Sequence, residues 1–242
     1  MKRSLYILLL VLSGLSAMAQ ESYLSIGLGA ALPQSDFGTD NTLMKSGYAM
    51  SGFAIELEGT YFPGSIVGVS GMMGFGSFYT LQNEYYMNLT DYINERTDLP
   101  GFNMPMQDQT DYTIGFWNYV NFLVGPELSV PFWRMQVGLK LMGGASVLIS
   151  PKREINYVNN LDILKVSTKG SDLSLSYLYG GSLMYKLRTG TALRFSADYL
   201  STKASYTFDF LADTPLADID ESMKNTLNIQ SLQLLVGLSY TF

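Results

Sequence analysis

The chain has 242 residues, with 15 Lys+Arg against 21 Asp+Glu, a formal charge of −6, and neither histidine nor cysteine. Without imidazole or thiol there is no Ser-His-Asp chemistry, no His- or Cys-ligated zinc, no disulfide, no thiolate nucleophile and no lipid anchor on an N-terminal cysteine. The acidic balance argues against nucleic acid, which requires a basic face, and 13% aromatics with 23 glycines fit neither a disordered chain nor a helical bundle.

The chain begins with Lys2-Arg3, then an apolar run over Leu5–Leu12, then the small-residue signature Ala17-Met18-Ala19. This order predicts a secretory signal over residues 1–19 and a mature chain over 20–242. The apolar core is too short for a membrane anchor and breaks at Gly14 and Ser16. Loss of Lys2 and Arg3 leaves 13 basic against 21 acidic residues, a mature charge of −8. No later segment has eighteen consecutive apolar residues, so the exported chain is expected either outside the inner membrane in soluble form or inserted as strands.

From there the sequence alternates with period two, the mark of strands with unlike faces. The first segment sets Leu24, Ile26, Leu28 and Ala30 against Ser25, Gly27 and Gly29. The second sets Phe53, Ile55 and Leu57 against Glu56 and Glu58. The third runs Val67, Val69, Met73 and Phe75 against Ser70, Met72 and Gly74, and the fourth Val120 to Val130 against Asn121, Glu127 and Ser129. The fifth sets Met135, Val137, Leu139 and Leu141 against Gln136, Gly138 and Lys140. The sixth sets Leu175, Tyr177, Tyr179, Leu183 and Leu187 against Ser176, Gly180, Ser182 and Lys186. The seventh sets Leu193, Phe195, Ala197 and Tyr199 against Arg194, Ser196 and Asp198. The last reads Leu232, Leu234, Val236, Leu238, Tyr240 and Phe242 against Ser231, Gln233, Gly237 and Ser239. Eight strands result, each long enough to cross a membrane when tilted.

Two features distinguish a membrane barrel from a soluble sandwich or lipocalin-type barrel. The polar parity is mostly Gly and Ser with a few charges, suited to a narrow interior, while the apolar parity ends in Tyr, Phe and Trp like an interfacial girdle. The connections also alternate in length. Phe62-Pro63-Gly64-Ser65, Pro131-Phe132 and Arg188-Thr189-Gly190 read as tight periplasmic turns; residues 33–47, 79–111, 149–172 and 209–226 read as long extracellular loops. The expected fold is all-β: an eight-stranded antiparallel up-and-down transmembrane β-barrel, monomeric, in a bacterial outer membrane.

The inward parity carries Glu56, Glu58, Glu127, Arg134, Lys140, Lys186, Arg194 and Asp198, four acids with four bases. Charges in a tight interior need partners, so a salt-bridge network is expected, with Glu127 near Arg134 and with Glu56 and Glu58, about 7 Å apart along the strand, both meeting Lys140 or an arginine. Three readings follow: a structural plug, a narrow selective pore or ligand-binding barrel, or a catalytic carboxylate pair made of Glu56 with Glu58 or Glu127. Nearby Lys and Arg would hold both carboxylates ionised and so oppose the third. No catalytic residue, metal or cofactor is expected.

In the loops, Tyr85, Tyr86, Tyr92 and Phe102, with Met87, Met104 and Met106, make an aromatic and Met-rich segment of the kind found at interaction surfaces; packing over the barrel mouth is the competing reading. Asp213-Thr214-Pro215 predicts a short helix to about Lys224. The acidic residues Asp213, Asp218, Asp220 and Glu221 lack the order of an EF-hand, so no calcium site is expected.

The signal, the Gly-rich first strand entering Leu32-Pro33, Ser51-Gly52-Phe53, Glu58-Gly59-Thr60-Tyr61-Phe62-Pro63, Leu123-Val124-Gly125-Pro126 and the ending Leu238-Ser239-Tyr240-Thr241-Phe242 together resemble the small outer-membrane β-barrel proteins of Bacteroidetes-type bacteria, of the eight-stranded OmpA/OmpX-like kind. The resemblance covers nearly all of the mature chain. It implies contact with outer-membrane lipid and, through Tyr240 and Phe242, recognition by the barrel-assembly machinery. It implies no activity, since that family is largely without one, and the peptidoglycan-binding domain of larger relatives is not expected. Together the residues and the resemblance point to a non-enzymatic structural or surface-interaction protein, whose extracellular ligand, if it has one, is not legible in the sequence.

Overall fold

The computed structural model describes residues 21–40, 43–64, 66–97, 99, 111–158, 163–188, 190–215 and 217–242. The leader expected over residues 1–19 lies outside them, as do Phe102, Met104 and Met106.

Eight strands close a ring: β1 (Tyr23–Gln34), β2 (Ala49–Tyr61), β3 (Val67–Thr80), β5 (Trp117–Phe132), β6 (Met135–Ile149), β9 (Ser171–Arg188), β10 (Thr191–Thr214) and β11 (Ala217–Thr241). All neighbours are antiparallel, and β11 returns to β1 from Tyr23↔Thr241 to Gln34↔Gln230. Closure satisfies the backbone N–H and C=O groups within the ring, as a hydrocarbon environment demands. No helix among the described residues is long and apolar enough to cross a membrane; the chain crosses with strands.

The alternation sorts as expected for lipid. Leu28, Val69, Leu139 and Leu238 point outward and are more than half exposed, whereas Glu56 and Arg194 point inward and are only 6% and 5% exposed. The interior has two storeys. Toward the periplasm it is polar. Toward the outside it is an apolar core, with Phe78, Leu123, Met142, Leu178 and Leu200 projecting inward from the barrel strands.

A cap closes the outer end. Helix α1 (Gln82–Asn94) follows β3. The segment 149–172, expected as a loop, instead forms the hairpin β7 (Arg153–Val158) and β8 (Ile163–Lys169). This hairpin extends the wall from the upper half of β10 and is edged by the short β4 (Asp111–Ile114). The helix expected from Asp213 to Lys224 is also strand: β10 and β11 stay paired out to Thr214↔Ala217, and Pro215 lies in the hairpin turn. Period two wins over the capping signal because Phe208, Phe210 and Ala212 are buried against Tyr85, Leu89 and Ile93 of α1 and Leu164 and Val166 of β8.

Candidate functional site

Glu58 sits at the centre of the polar storey. Strand β2 projects it inward opposite Ser25 of β1 and Met72 of β3. Lys140 Nζ, from β6, lies 2.6 Å from Glu58 Oε2, 3.1 Å from Asp198 Oδ2 and 3.8 Å from Glu56 Oε2. Arg194 donates from Nη2 to Glu58 Oε1 at 2.7 Å and from Nη1 to Ser25 Oγ at 2.8 Å, and its guanidinium stands 4.9 Å from the Tyr23 ring. The Tyr23 hydroxyl lies 2.7 Å from both Glu58 Oε1 and Glu127 Oε2, and Thr60 Oγ1 donates to the same Glu127 oxygen at 2.7 Å. Six of the eight expected charges therefore gather in one buried cluster, four carboxyls with two bases. The hydroxyls of Tyr23, Thr60 and Ser70 donate to the carboxyl oxygens, and Ser25 Oγ accepts from Arg194.

Two small residues make room for it. Gly180 is the cross-strand partner of Asp198, and a Cβ there would run into the Asp198 carboxylate; a Cβ at Gly138 would crowd Glu127 and Ser182. The void left beside Ser25, Glu56, Glu58 and Arg194 is about 10 Å3, room for one water at most.

Arg134 and Lys186 are elsewhere. The β5–β6 turn is Trp133-Arg134, not Pro131-Phe132, because Pro131↔Gln136 and Phe132↔Met135 continue the ladder. Arg134 is thereby carried outside at the periplasmic rim, with its guanidinium 5.6 Å from the Trp133 ring, and Glu127 faces Lys140 across the ladder instead. Lys186 is half-buried at the same rim, 2.8 Å from Glu21, and this bond holds the Glu21 carboxyl below its usual range.

Sequence reasoning missed Tyr23, Thr60 and the pair in which Gln233 Nε2 donates to Tyr119 OH at 2.7 Å. Tyr23 was within reach: it is the first member of the polar parity of β1, two residues before Ser25.

The cap has its own charged centre. Arg153, 2% exposed, donates from Nη2 to Gly47 O at 2.9 Å and lies 4.5 Å from the Tyr85 ring and 5.4 Å from the Tyr48 ring. Trp117 Nε1 donates to the same carbonyl at 2.9 Å, and Asn88 donates to Tyr48 OH at 2.7 Å and to Asp40 O. Burial pushes the Tyr48 phenol up to about 12, against the pull of Asn88 and Arg153. Arg96 meets Glu221 through two 2.9 Å bonds and lies 4.9 Å from the Phe210 ring. Tyr85 and Tyr86 are buried, and Tyr92 stands edge-on to Phe208 and Phe210. These tyrosines, expected as interaction candidates, are packing residues, because the extended β10 wall gives the helix an apolar surface to lie on. Tyr240 and Phe242 stack at 6.2 Å on the outer face of the last strand, both exposed.

A closed eight-stranded ring with an apolar outer wall and a sealed polar interior is a transmembrane β-barrel of a bacterial outer membrane. The profile described as "Outer membrane protein beta-barrel domain" matches residues 7–242, and the chain belongs to that family. No curated protein sequence matches it. Among solved structures it is similar to a major outer membrane protein from Thermus thermophilus (12% identity, 92% of this chain and 100% of that one, TM-score 0.49). It is also similar to Ail, the attachment invasion locus protein of Yersinia pestis (15%, 93% and 100%, 0.41), and to the outer membrane protease OmpT of Escherichia coli (9%, 93% and 98%, 0.45).

Proposed function

We propose that this protein is a non-enzymatic barrel with a plugged lumen that acts at the cell surface through its cap. One observation carries the reading. Along the axis, the Glu58–Lys140–Arg194 cluster, the apolar storey and helix α1 follow one another, and the void beside the cluster has room for one water at most. A substrate or hydrated ion would have to displace buried ion pairs and then a packed core. Acid–base work by Glu56, Glu58 or Glu127 is disfavoured because all three lie in a closed interior, where cations and hydroxyls hold Glu58 and Glu127 and Lys140 stands 3.8 Å from Glu56, and the chain has no histidine. The finer affiliation, with the small eight-stranded barrels of Bacteroidetes-type bacteria, rests on Leu32-Pro33, Tyr61-Phe62-Pro63 and the aromatic ending. That ending, Tyr240 and Phe242, is the segment we assign to the assembly machinery.

Planar-bilayer recording of the refolded chain tests the plug. A silent bilayer is expected. A steady ion-selective current that changes when Glu56 or Arg194 is neutralised would replace the plug with a pore.

A further inference from the structure

Tyr23 is the first residue of β1, paired with Thr241 at the seam where the barrel closes. Its hydroxyl reaches across the lumen to β5 and joins a ring of five oxygens with Glu58 Oε1, Ser70 Oγ, Thr60 Oγ1 and Glu127 Oε2. Tyr23 lies 2.7 Å from Glu58 Oε1 and 2.7 Å from Glu127 Oε2, Thr60 lies 2.7 Å from the same Glu127 oxygen, and Thr60 and Ser70 are 2.6 Å apart. The fifth side, Ser70 to Glu58, is longer at 3.3 Å. Phe62, Met184 and Ala192 pack with the Tyr23 ring at the periplasmic end, and Tyr23 and Glu127 are each only 1% exposed.

Two oxygens this close hold a proton between them, and each contact needs its own. The four short sides of the ring therefore need four protons. The three hydroxyls bring three, and the 3.3 Å side only raises the demand. However the hydroxyls turn, one short contact is left with lone pairs facing lone pairs, so the missing proton sits on one of the two carboxyls. Glu58 has a cation on each oxygen, Lys140 at 2.6 Å and Arg194 at 2.7 Å, which fixes it as the carboxylate. Glu127 enters no ion pair among the described residues. Lys140 is its partner across the ladder but turns Nζ to Glu58, Asp198 and Glu56, and Arg194 turns to Glu58 and Ser25. From the other neighbouring strands it meets groups that do not titrate: Gly68 and Ser70 of β3 and, beside Gly138, Ser182 of β9.

We propose that Glu127 is a buried proton-binding site: in the folded barrel it is a neutral carboxylic acid that donates to Tyr23, and Tyr23 donates in turn to the Glu58 carboxylate. An exposed glutamate in the unfolded chain is ionised at neutral pH, so the barrel takes up a proton from water as β1 closes on the lumen. The only bond formed is the O–H of Glu127, and Glu58 stays ionised. The bound proton also eases the excess of four carboxyls over two cations in a space closed to water. The assignment stands whether or not the lumen conducts.

Infrared spectroscopy of the full chain refolded in phosphatidylcholine vesicles at pH 7 reads the proton directly, because a carboxylic acid and a carboxylate absorb in separate bands. Wild type is expected to show an acid carbonyl band that Glu127→Gln abolishes. Tyr23→Phe should move the band, because Glu127 then loses the acceptor of its proton. Refolding from urea into weakly buffered vesicles with a pH indicator should take up about one proton per chain more in wild type than in Glu127→Gln. Heat-modifiable gel mobility shows which variants fold. Glu127→Gln should keep the wild-type shift, since its amide can donate to Tyr23 and its carbonyl accept from Thr60 as the acid does. Should that variant fail to fold, the wild-type spectrum and Tyr23→Phe still decide. No acid band in wild type, a band that survives Glu127→Gln or stays in place in Tyr23→Phe, or equal proton uptake by the two chains would each overturn the proposal.

Discussion

Lys140 Nζ and Glu58 Oε2 lie 2.6 Å apart inside the barrel, with both side chains almost wholly removed from water. An isolated pair in such a place would not repay its own desolvation. This one is embedded: Glu58 also takes Arg194 and the Tyr23 hydroxyl, and Lys140 also takes Asp198. Each group therefore depends on several strands at once, β1, β2, β6 and β10, and the cluster fixes their register as well as filling the space.

Removing the shared carboxylate should strip Arg194 of the carboxylate it pairs with and leave Lys140 with only Asp198 and the more distant Glu56. Glu58→Gln is expected to destabilise the barrel by about 3–5 kcal/mol, the range for breaking one partner out of a buried ion pair. The measurement is the urea midpoint of the heat-modifiable gel shift in lipid vesicles. In a double-mutant cycle, Glu58→Gln with Arg194→Gln should cost less than the sum of the two single changes; strict additivity would mean that the two side chains do not act on each other.

Room is as constrained as charge. At Gly180 an added methyl would meet the Asp198 carboxylate directly. Gly180→Ala is expected to cost about 1–3 kcal/mol by overpacking, whereas Gly71→Ala, where a Cβ meets nothing within 4 Å, should be close to neutral in the same gel assay.

Why some of this was legible in the sequence and some was not follows from what sets each feature. The eight barrel strands read directly because lipid imposes strict period two on the outer face, and Leu234-Val236-Leu238 obeys it without exception. The inward face is harder, since parity gives direction but not height. Glu127 and Arg134 share a parity, yet a turn displaced by two residues puts Arg134 outside. The apolar upper storey was hidden for the same reason: Leu123, Leu178 and Leu200 share the inward parity of the charged residues, and only the closed ring shows that they lie above them. The extracellular hairpins were missed because their apolar residues, Phe208 and Phe210, face a helix far away in sequence. Their periodicity makes sense only once that helix is in place.

The cap should loosen independently of the barrel. Arg153 joins Gly47 to Tyr48 and Tyr85, and none of its contacts reaches the lumen cluster. Arg153→Ala is expected to expose residues 33–48 and α1 to added protease while the heat-modifiable shift of the barrel core stays unchanged. Loss of that shift would tie the cap to the barrel in one cooperative unit.

The same centre predicts an alkaline transition. The folded pKa of Tyr48, about 12, lies above the ordinary phenol value of 10. The folded cap thus holds the phenolic proton more tightly than the unfolded segment does. Its stability is complete below pH 10 and falls as pH rises from 10 through 12. Tyr206, also raised by burial, acts in the same direction. Phenolate absorbance should show late-titrating tyrosines whose number falls by one in Tyr48→Phe, and protease sensitivity of the cap should rise over the same interval.

The outward face offers the most direct check on the membrane assignment. Val236 sits in the middle of the lipid belt on β11, flanked across the ladders by Leu28 and Phe195, and all three are exposed. A cation at the bilayer midplane costs about 2–4 kcal/mol and falls toward zero near the interfaces. Val236→Arg should therefore lower the urea midpoint in vesicles by that amount, while Tyr240→Arg, at the periplasmic end of the same strand face, should cost much less. The depth dependence is the discriminating feature. A water-facing wall would accept the cation at both heights, and equal midpoints for the two variants would contradict a hydrocarbon environment around Val236.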